Sequence, residues 1–163
     1  MAVDYSDLPV EETVRILDAF RDQPAPVIQS AGADPVDQSV AGIRRYIEIV
    51  DGNLDGVVLT YRESRTLTVE GRSRIKELEI ATAAPLRAVI EAGVARGVFR
   101  EAGVDLTVCD IMLLAHGWAL KRWHFGPSHT VDEYIALQTR HVLNSLVAED
   151  RRAEYAHLLG GSS

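Results

Sequence analysis

At 163 residues, with 47% hydrophobic and 25% charged side chains, the chain suits a single globular domain, and a chain of that size can bury about two thirds of its unfolded surface. The lone cysteine, Cys109, excludes an intramolecular disulfide and a cysteine-built metal site. The net charge of −7 is concentrated at the start, where residues 1–40 hold eight acids against only Arg15 and Arg21. The basic face that neutralises DNA phosphates is therefore missing there, and direct nucleic-acid binding by this chain is not expected.

No apolar run approaches the roughly 20 residues of a membrane-spanning helix. Met1-Ala2-Val3-Asp4-Tyr5 is not a basic segment followed by an apolar stretch, so no secretory signal is read there. A reduced, cytoplasmic setting without a membrane partner is the expectation.

In chain order, proline and glycine divide the sequence into helical stretches, and no segment alternates with period two. Residues 9–21 place Val10, Val14, Leu17 and Phe20 on one face, with Glu11 and Glu12 near the positive end of the helix dipole. Residues 23–33, rich in proline and small side chains, read as a loop. Asp34-Pro35 is a restart, with Asp34 as N-cap and Pro35 at the first helical position. The helix it opens reaches about Asp51, with Val36, Val40, Ile43, Ile47 and Val50 on one face. Gly52-Asn53 breaks it, and a short apolar helix is expected over residues 54–67. Thr68 caps a long helix to Ala95 that Pro85 kinks, since proline removes a backbone donor and crowds the preceding turn. Gly97 ends it. Residues 104–123 form the most hydrophobic stretch, apolar nearly all round, as a helix covered on two sides would be. Thr130-Val-Asp-Glu133 is a capping box for a helix over residues 131–148. A short amphipathic segment, 151–159, then precedes a Gly-Gly-Ser-Ser tail expected to be disordered.

The expected fold is all-α: one helical-bundle domain of six to seven helices. Two late helices are too apolar for a one-sided core, so a homodimer joined through a four-helix bundle is expected. The alternative is a monomer in which the 104–123 helix is simply central.

Three pieces resemble a known family: Ala41-Gly-Ile-Arg-Arg-Tyr-Ile-Glu-Ile-Val-Asp51 followed by Val57-Val-Leu-Thr-Tyr-Arg-Glu63; Pro85-Leu-Arg-Ala-Val-Ile-Glu-Ala-Gly-Val-Ala-Arg-Gly-Val-Phe-Arg100; and Ala115-His-Gly-Trp-Ala-Leu-Lys-Arg-Trp123 with Thr130-Val-Asp-Glu-Tyr134. Over about residues 34–148 the chain resembles the C-terminal ligand-binding and dimerisation domain of TetR/AcrR-type transcriptional regulators. The resemblance implies a repressor-like function: an effector-binding domain that senses an apolar or acyl-type small molecule. A complete member of that family begins with a helix-turn-helix head of roughly 50 residues. Residues 1–33 are too short and too acidic for one, so no DNA-reading head is expected in this chain. Loss of the head, its location outside this stretch and a late gene start remain open. The organisation read is an acidic helix and linker over 1–33, the effector-binding domain over 34–149, and a short helix with a flexible tail over 150–163.

By resemblance, Tyr61, Arg62, Glu63 and Arg65 lie on a helix that borders the ligand cavity. Tyr61 and Arg65, four apart, share a face. A buried arginine could grip a carboxylate or phosphate, although an internal Arg–Glu pair that positions the helix is the preferred reading. His116 and Trp118 suit a pocket wall, which needs a few polar groups among apolar ones; packing into the core is the competing reading. Met112 joins this candidate ligand-binding set, although Met112 and Cys109 also read as core or dimer seam. The dimer seam is assigned to Leu113, Leu120, Tyr134, Gln138, His141 and Val142. No metal or cofactor is expected: among five histidines only His157, in Glu154-Tyr-Ala-His157, has a ligand-like spacing, and it is unpaired. No catalytic residue is assigned and no enzyme is expected, because Ser64 and Ser73 lack a nucleophile-elbow context and Cys109 sits in an apolar run. The partners expected are a small-molecule effector, a second copy, and a full-length TetR-type relative in a mixed dimer. The alternative function is an interaction module that forms such mixed dimers and binds no ligand.

Overall fold

The computed structural model describes residues 8–63, 65, 67–101 and 103–160. The acids Asp4 and Asp7, Ser64 and the tail 161–163 lie outside the described residues, as do the side chains of Val10, Glu11, Glu12 and Glu63. Helix α1 spans Leu8–Asp22 and α2 Pro24–Ser30. The loop expected over 23–33 is thus largely helical. Pro24 occupies the start of α2, where its missing N–H would have had no intrahelical partner. The amphipathic reading undervalued Ile28, whose burial anchors α2.

Helix α3 (Pro35–Asp51) begins as expected: the Asp34 carboxylate accepts from the Val36 N–H at 2.8 Å, and Pro35 takes the first position. Its buried positions, including Val36, Ile43, Tyr46, Ile47 and Val50, recur at helical spacing, and the helix runs through the middle of the core. Helix α4 (Leu54–Glu63) is shorter than the 54–67 expectation. Thr68 caps α5 (Val69–Ala95) by accepting from the Gly71 N–H. Pro85 lies within α5, and near it the Tyr46 hydroxyl donates to the Thr82 carbonyl at 2.5 Å, tying α3 to the turn before the proline.

Helix α6 (Val104–Leu120) stops earlier than expected and is followed by the single turn α7 (Arg122–Phe125). Helix α8 (Val131–Leu146) opens with the complete Thr130–Glu133 capping box. The chain closes with a 3₁₀ turn over Glu149–Tyr155 and α9 (Ala156–Leu159). This last segment is tied in: Tyr155 and Leu159 are buried, and the Tyr155 hydroxyl donates to Asp34 Oδ2 at 2.9 Å.

The bundle is organised around α3, which packs against α2, α5, α6 and α8, while α1 lies across α5 and α4. Ile16 and Phe20 of α1 belong to the same apolar cluster as the α3 face. The acidic N-terminal helix therefore folds onto the bundle. The all-helical expectation holds, with six helices of ten or more residues among the described residues and three shorter ones. Among the described residues no helix is long and apolar enough to cross a membrane.

Candidate functional site

Helix α6 has two differently used faces. Val108, Ile111, Ala115 and Trp118 recur at helical spacing and are buried in the core, Val108 also reaching the cavity wall. Asp105, Cys109, Met112, Leu113 and His116 face the other way, toward α5 and α4. Between these faces and α1 lies a cavity of about 530 Å³. Helix α5 contributes Lys76, Glu79, Ile80, Ala83 and Arg87 through its own helical repeat, and α1 closes the inner end with Leu17 and Phe20. The volume falls in the range of small-molecule sites, and so does the mix of many apolar and few polar groups.

Among the polar groups of this cavity are the exposed Tyr61 and the half-buried His116, brought together from α4 and α6. The Tyr61 oxygen lies 2.7 Å from His116 Nδ1. The His116 ring also meets Phe20 edge-on, with centroids 5.8 Å apart, and Tyr61 at 5.6 Å. Charged groups lie at the rim. The Arg87 guanidinium pairs with Asp105 across the α5–α6 opening, and Lys76 and Glu79 are exposed on α5. Desolvation raises the Glu79 carboxyl above its ordinary range. It also raises the Tyr61 phenol, with smaller contributions from Glu79 and Cys109.

Burial lowers the His116 imidazole from 6.5 to about 4, so the ring is neutral at pH 7. As pH falls, the unfolded chain protonates its histidine near 6.5 while the folded one still resists. The contribution of this group to stability therefore rises with pH between about 4 and 6.5, and it is level above that window. A shift of this size corresponds to at most about 3 kcal/mol, and partial solvent access reduces the expected effect to about 2 kcal/mol. Urea unfolding at pH 4.5 and 7.5 is expected to show that much more acid sensitivity in the wild type than in His116→Gln. Equal sensitivity in both would refute the assignment.

The structure brings together Tyr61, Met112 and His116 of the residues singled out in the sequence. It does not bring Arg62, Arg65 or Trp118 to them. Arg65 fails because α4 ends at Glu63, so the four-residue spacing no longer sets a common face. Arg62 sits about 100° around the helix from Tyr61 and is exposed. Trp118 lies two residues, about 200°, from His116. It is 1% exposed, and its indole N–H donates to Asp51 Oδ1 at 2.7 Å. Of the expected dimer-seam residues, Tyr134 and Val142 are only 3% and 6% exposed within the single chain and have little surface left for a partner. The Tyr134 hydroxyl instead donates to the Leu114 carbonyl. Leu113 lines the cavity rim and is exposed, His141 is exposed, and Leu120 and Gln138 are half-buried. Cys109, read as core or seam, is exposed at the cavity. The sequence places the 68–95 helix at the cavity but singles out none of its residues, and Lys76, Glu79, Ile80, Ala83 and Arg87 of α5 recur there at helical spacing. That stripe mixes charge with apolar groups and so carries no hydrophobic signature.

The described residues thus form an all-helical bundle with a partly open, mostly apolar cavity between its helices. The family described as "Tetracyclin repressor-like, C-terminal domain" matches residues 32–126, and the chain belongs to it. The chain is also 33% identical over 101 residues to the HTH-type transcriptional regulator HbdR of Aromatoleum sp. (strain CIB). That match takes in 62% of this chain and 44% of HbdR, so the chain spans less than half the length of that relative. In fold it is similar to a tetR-family regulatory protein from Rhodococcus RHA1, with a TM-score of 0.75 at 18% identity over 88% of this chain and 75% of that one. It is equally similar to the TetR-family regulator PfmR of Thermus thermophilus, with a TM-score of 0.75 at 19% identity over 88% and 77% of the two chains.

Proposed function

We propose that this chain is the effector-binding and dimerisation part of a TetR-type transcriptional regulator, working in the cytoplasm without catalysis. An apolar or acyl-type small molecule occupies the cavity between α1, α4, α5 and α6. The observation that carries this reading is the cavity itself: about 530 Å³, lined mostly by apolar side chains, with the Tyr61–His116 pair among its polar groups. Ligand binding would favour one arrangement of a dimer over another, which is how such a domain biases a regulator.

The dimer is proposed through α6 and α8. Leu113, Leu137 and Trp123 are exposed large apolar side chains on and next to these helices, and Leu120, Gln138 and His141 extend the same region. The same surface suits a mixed dimer with a full-length TetR-type relative. Native mass spectrometry of the purified chain, before and after mild denaturation, tests both parts. A dimer releasing a small molecule on denaturation is the expected result. An empty monomer, unchanged in melting temperature across a panel of apolar compounds, would refute the reading. A ligand at a hundred times its dissociation constant stabilises by about 2.7 kcal/mol, which is readily seen.

A further inference from the structure

A second, smaller cavity of about 300 Å³ adjoins the main one, between α4 and the first turns of α5. Tyr61, Lys76 and Glu79, all exposed, line both cavities, and Arg72 and Leu67 join the lining of the smaller one. On α5 the lining positions Arg72, Lys76, Glu79, Ala83 and Arg87 are three or four residues apart and form one stripe past both cavities. From Arg72 to Arg87 this stripe is about 22 Å long. Charge is unevenly placed along it. At the main cavity Lys76 and Arg87 meet two carboxylates, and Arg87 is already held by Asp105, with Glu91 at 3.9 Å. At the smaller cavity Arg72 and Lys76 stand against Glu79 alone. Among the described residues neither of these two cationic side chains has a hydrogen-bond or ion-pair partner. The surrounding segment, 62–77, carries Arg62, Arg65, Arg72, Arg74 and Lys76 against Glu63, Glu70 and Glu77, a net of +2 within a chain of −7.

We infer that the smaller cavity receives the anionic end, a carboxylate or phosphate, of an amphiphile whose apolar body lies in the main cavity, with Arg72 and Lys76 as its counter-charges. This rests on the reading of the main cavity as an effector site. The apolar body gains by leaving water against Leu17, Phe20, Ala83, Val108 and Met112. A charged end gains nothing there and needs either water or a counter-charge. The smaller cavity offers both, since its two cations are exposed. Arg72 presents a planar fork that matches a carboxylate or phosphate, and Lys76, one turn on, presents a compact charge. Arg87 suits the role less, because an anion would have to displace Asp105 from it. Glu79, at the boundary of the two cavities, repels an anion that stops short and so favours the Arg72 side.

The test compares decanoate with decanol at pH 7.5 by isothermal titration calorimetry, with melting temperatures as a second readout. The double variant Arg72→Gln/Lys76→Gln is expected to bind decanoate about fivefold more weakly, as two exposed charge contacts predict. Decanol is expected to change by less than about twofold in the same variant, and so reports an intact cavity. Raising the salt concentration is expected to weaken decanoate binding to the wild type and to leave that variant little affected. Arg62→Gln/Arg65→Gln removes the same charge from the same segment without touching the lining, and a loss of less than about twofold is expected for it. Decanoate binding that survives in the Arg72/Lys76 variant, falls equally in the Arg62/Arg65 variant, or is lost only in Arg87→Gln overturns the inference. So does a wild type that binds decanol but no decanoate, and in each of these cases the effector-site reading stands. If neither probe binds, the effector-site reading falls, and this inference with it.

Discussion

Trp118→Ala is expected to lower the unfolding free energy by about 4 kcal/mol, because the substitution empties the middle of the core. Trp118 is among the largest completely buried side chains. Its ring packs at a tilt of 40° against Tyr134 with centroids 4.8 Å apart, and the Arg122 guanidinium covers it at 4.5 Å. Alanine also leaves the Asp51 carboxylate without its indole donor, which adds to the loss of packing. Trp118→Phe keeps a ring but not the donor, and about 2 kcal/mol is expected for it. Urea unfolding gives both values. The phenylalanine variant also tests the division of α6 into two faces: its melting temperature is expected to respond to apolar compounds as the wild type's does. A selective loss of that response in a variant that still folds would return Trp118 to the pocket.

A comparable loss, about 3 kcal/mol, is expected for Gly93→Ala. A β-carbon at Gly93 would overlap the Phe99 ring. The ring has nowhere to go: Phe99 is 2% exposed and bridged to Val147. The backbone around it is pinned by Val98 N–H and Phe99 N–H donating to the Gly93 carbonyl, and by Ala148 N–H donating to the Val98 carbonyl. Gly52→Ala is the control, since a β-carbon there meets only ordinary contacts at 3.5 Å and beyond; a change under about 1 kcal/mol is expected for it. If the clash with Phe99 is the cause, Gly93→Ala combined with Phe99→Leu loses less than the two single losses added together. Strict additivity would place the cost elsewhere.

Local chemistry in the chain determined the helices and most of their ends. Asp34-Pro35, Thr68 and the Thr130–Glu133 box each satisfy backbone groups within a few residues, so their effect is readable without knowing the fold. Gly97 likewise takes the left-handed conformation, φ 69°, that glycine adopts without strain. The repeat of apolar residues along α3 identified its buried face, and the family resemblance was legible from motifs spread over much of the chain. Helix α2 was not legible, because its prolines signal a break unless they are known to sit in a first turn.

What tertiary structure alone decided is which polar residues meet. Tyr61 and His116 are 55 residues apart, and only the packing of α4 against α6 brings them within hydrogen-bond distance. Arg65 looked suited by its four-residue spacing from Tyr61 until α4 ended at Glu63, and Arg62, inside the helix, sits about 100° around from Tyr61. Along α6, apolar on nearly every side, sequence periodicity could not separate the core face of Trp118 from the cavity face of Met112 and His116. Burial depends on which neighbours cover each face, and those neighbours come from α1, α3, α5 and α8. A chain can encode the helical repeat of a side chain within its own segment, but the solvent or the partner at the end of that side chain is set by segments far away in sequence.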